Sequence, residues 1–384
     1  MRSRNIAYIA KLDHLRFFAA FLVIVYHYYH FQTGFYNGFK LPAVIAKSAG
    51  SALIIEGHVG VSLFLVLSGF IFSAIGYGKQ INYKAFIANR LLRIMPLYGL
   101  AIFVAAHLKP TTLAEWISSL TFMSSFIPGV NDVRVTPHLW TIAVEFQFYL
   151  IFPLIVVFLK RYGLRYAGGA IMLLVVLRGL MWCSREVLDL KSIVYGTLIG
   201  RMDQFLIGMV AGAVYSGRGP KWHLGFLKRG WSVLLGTAVA VGSIWIFHRC
   251  GGFYHLGNKH WIWIIWTPLE GCIWALLIMT YVMSSFQLPG WLSRTLSFLG
   301  SLSFSLYVNH WIFVNNMPFH KWIPLLSNNY SSNAFLSVLL VVLPLLTAFS
   351  WLTHQIIERP FFELRKSYIL KDLEPKSGAV AEKI

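Results

Sequence analysis

Charged residues are scarce in this chain of 384 residues: Asp, Glu, Lys and Arg make up 12%, against 57% hydrophobic residues. Acidic residues are the scarcest, with 14 Asp and Glu against 33 Lys and Arg. This composition and a mean hydropathy of +0.63 exclude an ordinary soluble domain and indicate a membrane protein. Basic residues form no patch with interleaved aromatic residues outside the apolar segments, so nucleic acid is not an expected partner.

Cysteine is also rare. Cys183, Cys250 and Cys272 lack the spacing of metal ligands, so we expect no metal site. A disulfide between Cys183 and Cys250 would require both to lie outside the membrane in an oxidising compartment. Free thiols are the simpler interpretation.

Long apolar stretches fill most of the chain. A membrane span needs about 20 mostly apolar residues, and the stretches that meet this standard predict an all-α, polytopic membrane protein with about ten transmembrane helices. They lie at 12–31, 52–75, 86–107, 138–159, 167–183, 193–215, 231–248, 262–283, 296–316 and 334–357. The first is long, is interrupted by Arg16 and lacks a small-residue cleavage pattern, so we expect it to be retained as a helix rather than cleaved as a signal peptide.

Lys and Arg are concentrated in the segments on the N-terminal side of the membrane, such as 79–93 and 218–229. This bias places both termini in the cytoplasm. We expect one transmembrane domain over 1–370 and a disordered cytoplasmic tail over 371–384. The long loop 108–137 would lie outside, with 116–127 as a re-entrant or interfacial segment that could cover a site.

The first span carries two residues that are costly inside a membrane, Arg16 one third of the way along and His27 two thirds along. Their spacing brings an α-helix back to within about 20° of its starting direction, so they share one face, roughly 16 Å apart. Ionisable groups inside spans are usually functional. One helix therefore offers a cation at one depth and a titratable base at another.

Glu145, in the fourth predicted span, lies at a depth similar to that of His27. A carboxylate there must be paired, protonated or exposed to water, because an isolated charge in the membrane is costly. His27 is the natural partner, since a carboxylate that orients an imidazole makes it a better base. The plainer alternatives are a packing role for His27 and a helix-to-helix hydrogen bond for Glu145.

Other charged residues extend this pattern. Arg90 and Arg93 stand at the inner end of the third span, where arginines ordinarily act as anchors. Arg201 and Asp203 are most simply a mutual ion pair, with contact to a substrate as the alternative. Arg16, Arg90 and Arg93 together would make the inner half of the protein cationic, below an acid–base pair in the outer half. That arrangement suits an enzyme with a large anionic donor and a polar acceptor, or a proton-coupled transporter of an anion or lipid-linked sugar.

Six ordered segments resemble signatures of the acyltransferase type 3 family, which comprises membrane O-acyltransferases of bacterial surface glycans and some small molecules. They are 12–27, with an arginine and a histidine separated by ten residues, 57–70 (GHVGVSLFLVLSGF), 90–96 (RLLRIMP), 139–153 (LWTIAVEFQFYLIFP), 303–311 (SFSLYVNHW) and 357–361 (IERPF). The segments are spread over nearly the whole chain, so the resemblance covers the entire predicted membrane domain.

The resemblance implies an acyl-CoA donor, most often acetyl-CoA, bound from the cytoplasm. It implies a hydroxyl acceptor on a glycan or glycolipid at the outer face of the bacterial inner (plasma) membrane. Arg16, Arg90 and Arg93 would bind the donor phosphates, because guanidinium groups suit phosphate. His27 would act as general base or carry the acyl group transiently, and Glu145 would hold its ring. Supporting roles are expected for Asp13, His58, Ser68, Arg201, Asp203, Tyr307, His310 and Glu358.

One position departs from the family pattern, which often has an acidic residue where Ser62 stands. We expect His58, on the same helix face, to replace it in part. The esterase-like domain fused to some family members is not expected here, so a second acyl-transfer step would need another protein, such as the glycan-assembly machinery. Related halves and broken helices are typical of transporters, and neither is evident in the sequence, which weakens the transporter alternative.

Overall fold

The computed structural model describes residues 8–34, 46, 48–108, 112–123, 137–217, 225–316 and 326–370. All regular secondary structure in these residues is helical, which confirms the predicted all-α class. The helices are α1 (Ala10–Gln32), α2 (Ala49–Ile55), α3 (Val59–Gly76), α4 (Tyr83–Leu108), α5 (Leu113–Leu120), α6 (Trp140–Tyr162), α7 (Leu164–Cys183), α8 (Leu190–Gly196), α9 (Leu198–Tyr215), α10 (Ser232–Arg249), α11 (Gly252–His255), α12 (Ile262–Met283), α13 (Gly290–Ser301), α14 (Ser303–Trp311) and α15 (Tyr330–Glu363).

Seven helices in the described residues are long and apolar enough to cross a membrane, and the bent pair α8–α9 would make an eighth. This agrees with a polytopic membrane protein, but the expected count of about ten is not confirmed. α1 is not among the seven because charged side chains occupy its first turns and His and Tyr its last. The predicted span 296–316 is divided at Leu302 into α13 and α14, each too short to span.

Several predicted features fall partly or wholly outside the described residues. The tail 371–384 lies outside them, and of the proposed re-entrant segment only 116–123 is described. There α5 forms a short helix whose start is stabilised by reciprocal hydrogen bonds between Thr112 and Glu115. The three cysteines are free in the structure, so the alternative of a disulfide between Cys183 and Cys250 is not supported.

Close helix packing at the centre depends on glycine. A Cβ added at Gly60 of α3 would lie 2.5 Å from the Ala19 carbonyl oxygen of α1. Gly208 and Gly212, one turn apart on α9, would each place a Cβ 2.2 Å from a carbonyl oxygen of α3. Glycines at this spacing let two helix backbones approach closely inside a membrane. They hold α1, α3 and α9 together as the centre of the bundle.

Two buried ion pairs join α9 to its neighbours, and they differ from the predicted pairing of Arg201 with Asp203. Asp203 accepts a hydrogen bond at 2.7 Å from Arg178 of α7. Arg201 instead lies 3.8 Å from the Glu270 carboxylate of α12 and donates to Ser62 at 3.0 Å. The prediction was wrong because residues two positions apart on a helix point in different directions, so each faces a different neighbouring helix.

We expect Arg201→Met to lower the free energy of unfolding by about 3 kcal/mol or more, because it leaves the Glu270 carboxylate buried without its counter-charge. Adding Glu270→Gln should recover most of this loss, whereas adding Asp203→Asn should not. Thermal unfolding of the detergent-solubilised variants, followed by intrinsic fluorescence, measures the difference. Recovery by Asp203→Asn but not by Glu270→Gln would contradict the observed pairing.

Candidate active site

A cavity of about 460 Å³ opens beside the first turns of α1 and extends between α3, α4, α6, α14 and α15. Its size is within the range of small-molecule sites. It brings together most of the residues that the sequence singled out: Asp13, Arg16, Ser68, Arg90, Arg93, Glu145, Tyr307 and Glu358. His27, His58, Arg201, Asp203 and His310 are not among its lining residues.

The three predicted cationic residues of this cavity differ in how they are held. Arg16 donates to the Asp13 carboxylate at 2.6 Å, one helical turn away. Arg90 and Arg93 have no carboxylate within ion-pair distance among the described residues. The Arg90 guanidinium instead lies 4.9 Å from the centre of the Phe72 ring and 5.8 Å from that of Tyr149. Its Nε is buried and makes no hydrogen bond with a described residue. Arg90 and Arg93 therefore form no direct ion pair with a described residue, although Glu145 is near enough to Arg90 for its charge to act on the guanidinium.

Glu145 lies in the cavity rather than beside His27. Its Oε1 accepts hydrogen bonds from Ser68 Oγ and Tyr149 Oη, both at 2.5 Å. The predicted hydrogen bond between Glu145 and His27 is therefore wrong. The prediction assumed equal depth, but it is His138, seven residues before Glu145, that lies in the group with His27 and His310. Glu145 lies among α3 and the arginines of α4.

The remaining acidic lining comes from the end of α15. Glu358 is buried, accepts a short hydrogen bond from Ser305 and lies 3.5 Å from His354. Cavity walls thus carry both signs of charge. Asp13 is bonded to Arg16, and Glu145 and Glu358 have hydroxyl or imidazole neighbours. Arg90 and Arg93 form no ion pair with a carboxylate of a described residue.

A group of imidazoles lies beyond the end of the cavity marked by Tyr307 and Thr141. His310 Nε2 is 3.1 Å from His27 Nδ1, and the two rings are 4.9 Å apart. His138 lies 4.8 Å from the His310 ring. Tyr307 connects this group to the cavity, because its hydroxyl donates to the His138 carbonyl oxygen and its own carbonyl oxygen accepts from His310 Nδ1.

No role was predicted for His138, since it lies at the edge of a predicted span. Its proximity to His310 depends on how α6 packs against α14. A hint was present in the sequence: His138 directly precedes the motif that carries Glu145. The structure therefore places His138 beside His310 and His27, which the motifs had named separately.

A second buried polar group is centred on Glu56, which the sequence analysis missed. Glu56 accepts from His248 at 2.8 Å and from His58 at 3.0 Å, and Tyr195 bonds the other nitrogen of His58. Burial raises the pKa of the Glu56 carboxyl, but the hydrogen bonds from His248 and His58 outweigh it and lower the pKa to about 2.

Both ring nitrogens of His58 are therefore hydrogen-bonded, one to Glu56 and the other to Tyr195. The prediction that it replaces an acidic residue at Ser62 is not supported. Glu270 is the carboxylate near Ser62, since both lie beside the Arg201 guanidinium. In the part of the chain that the structure describes, no cluster of His, Cys, Asp or Glu has the arrangement to hold a metal ion.

Comparison with known proteins gives this geometry a family context. O-acetyltransferase OatA of Staphylococcus aureus is 24% identical over 362 residues, which cover 83% of this chain and 53% of OatA. YrhL of Bacillus subtilis, whose name provisionally assigns it to peptidoglycan O-acetylation, is 28% identical over 244 residues, 56% of this chain and 34% of YrhL. The chain thus matches about a third to a half of the length of these relatives, and no solved structure matches it.

The family comparison covers most of the chain. A model described as an acyltransferase domain, that of acyltransferase type 3, matches residues 9–355. The matched region includes every cavity-lining arginine of α1 and α4, Glu145 and the imidazole group. The chain therefore belongs to the acyltransferase type 3 family.

Proposed function

We propose that this protein is a membrane O-acyltransferase that moves an acyl group, most simply acetyl, from acyl-CoA to a hydroxyl of a surface glycan or glycolipid. The observation that carries the proposal is the cavity, which contains two arginines that form no ion pair with a described residue and which leads at Tyr307 to a pair of hydrogen-bonded histidines. Membership of the family and the O-acetyltransferase names of its relatives support the reaction class.

The donor would bind with its phosphates against Arg90 and Arg93. Two guanidinium groups without carboxylate partners can offer bidentate hydrogen bonds to phosphate oxygens. Arg16, with its side chain 26% exposed and held by Asp13, would contribute at the same end of the cavity. The acyl thioester would then extend past Glu145 towards Tyr307.

His27 would act as the general base for the acceptor hydroxyl. In direct transfer, His27 removes the hydroxyl proton as the oxygen attacks the thioester carbonyl, the carbon–sulfur bond breaks, and the departing thiolate takes the proton back. In the covalent route, His27 attacks the thioester carbonyl, the carbon–sulfur bond breaks and the CoA thiolate leaves. The acceptor hydroxyl then takes the acyl group from His27, and its proton passes to the released imidazole. Labelled acyl-protein trapped with donor alone would favour the covalent route.

The acceptor is proposed from chemistry and relatives. The name of YrhL refers to peptidoglycan, so a polysaccharide of the bacterial envelope is the first class to test. We place the acceptor side at the outer face of the inner membrane, with both termini in the cytoplasm, because basic residues are concentrated on the N-terminal side. Glycan-assembly machinery would be a functional partner.

We expect Arg90→Gln and Arg93→Gln each to raise KM for acetyl-CoA by about tenfold or more, because each removes a charged hydrogen-bond donor to phosphate. The matched control is Arg359→Gln, an exposed arginine at the same end of the molecule that bonds Gln355. Initial rates at varied acetyl-CoA concentration measure KM. An unchanged KM in both cavity variants would contradict the donor site.

We expect His27→Gln to lower kcat by about 100-fold or more, the usual contribution of a general base, while acetyl-CoA still binds. His255→Gln, which changes an exposed histidine, should retain activity. Turnover with an envelope glycan and equilibrium binding of labelled acetyl-CoA separate the two effects. A His27→Gln protein that binds donor and turns over normally would remove His27 from the chemistry.

A further inference from the structure

The contact between His310 and His27 joins α14 to α1 at the step where a proton must move. His310 is fully buried, and its Nε2 lies 3.1 Å from Nδ1 of His27. Each neutral imidazole has one N–H donor and one nitrogen acceptor, so a hydrogen bond between two rings fixes which nitrogen carries the proton in both.

The proton position on His310 follows from its second contact. Its Nδ1 lies 2.5 Å from the carbonyl oxygen of Tyr307, which can only accept a hydrogen bond. The Nδ1 of His310 therefore carries the proton. In the neutral ring, Nε2 is then the acceptor that faces His27.

The proton position on His27 follows from two neighbours that agree. His310 Nε2 requires a donor at His27 Nδ1, and so does the Val23 carbonyl oxygen, 2.9 Å from the same nitrogen. If His310 instead carried its proton on Nε2, His27 Nδ1 would have to be bare and would face the Val23 oxygen with a lone pair. When His27 is protonated at Nδ1, its one proton is shared between these two acceptors, and Nε2 is the basic nitrogen of the neutral ring.

We propose that His310 is the positioning residue for His27, in the role that the sequence had given to Glu145. This inference rests on the proposed acyl transfer. His310 holds the His27 proton at Nδ1, so Nε2 receives the proton of the acceptor hydroxyl. When His27 becomes an imidazolium, its Nδ1–H continues to donate to His310 Nε2 and Val23 O, and the Nε2 proton passes to the departing thiolate.

α14 also connects the contact between His27 and His310 to the donor cavity. Tyr307 lines the cavity with its side chain while its carbonyl oxygen holds His310 Nδ1. Trp311, the next residue after His310, meets the His27 ring edge-on at 5.4 Å. α14 therefore fixes both the end of the cavity and the orientation of the base.

Two substitutions of His310 separate positioning from packing. His310→Phe keeps a flat ring but offers no acceptor, and we expect it to lower kcat by about tenfold or more while KM for acetyl-CoA changes less than about twofold. His310→Gln places an amide oxygen where Nε2 stood and should recover most of kcat. The matched control is His30→Gln, because His30 is buried one turn from His27 on α1 but donates its Nε2 proton to the Ile55 carbonyl oxygen; its kcat should stay near that of the parent.

A loss of kcat that is equal in the Phe and Gln variants, or a normal kcat in His310→Phe, would overturn the positioning role. Purified variants are compared only at matched acetyl-CoA binding, which shows that the cavity is intact. If the parent itself transfers no acyl group, the proposed function fails, and the proton positions decide the inference on their own.

Nitrogen-15 spectra of the histidine-labelled protein report those positions directly. The His27 signals are identified by their loss in His27→Gln. We expect the neutral His27 ring to be protonated at Nδ1 in the parent and in His310→Gln, with the Nδ1 resonance displaced in His310→Phe as one acceptor is lost. A His27 ring protonated at Nε2 in the parent would overturn the inference whatever the activity.

Discussion

Placing charge inside a bundle of apolar helices is costly, and the structure depends on how each buried charge is compensated. The ion pairs of Arg178 with Asp203 and of Arg201 with Glu270 tie α9 to α7 and α12. Removing one partner of such a pair is more costly than the pair's own contribution to stability, so these contacts fix which helices are neighbours. Glycines of α9 then allow its backbone to meet α3 closely.

Against that background, the arginines of α4 are exceptional. Arg90 lies among aromatic rings and, like Arg93, has no carboxylate within ion-pair distance in the described residues. A bound anion would supply a direct counter-charge. This is the physical reason for proposing an anionic donor in the cavity, and it does not depend on the names of relatives.

Sequence reasoning succeeded where local patterns decide the outcome. The predicted span 262–283 coincides with α12, and 138–159 closely matches α6, because uninterrupted apolar runs determine such helices. It failed at 52–75, which is divided between α2 and α3 at the polar residues Glu56 and His58. Hydropathy cannot distinguish a polar break that ends a helix from a polar residue tolerated within one.

In the candidate site, too, local motifs were predictable and contacts between helices were not. Eight of the residues named from the sequence line one cavity. Pairings between helices were not predictable: Glu145 bonds Ser68 rather than His27, and Glu270 was overlooked as the partner of Arg201. Both depend on which faces of distant helices meet, and depth along a helix carries no information about its rotation. His310 was named from its motif, but its role depends on two hydrogen bonds that only coordinates reveal.

The most direct test of acyl transfer uses the purified full chain with radiolabelled acetyl-CoA and a crude envelope glycan fraction. The account predicts that label appears on the glycan in the presence of the protein, increases with time, and is lost with His27→Ala although that variant remains folded. Absence of transfer together with absence of acyl-CoA binding would contradict the account. A proton-coupled transporter would then be the better interpretation of the cavity and its buried charges.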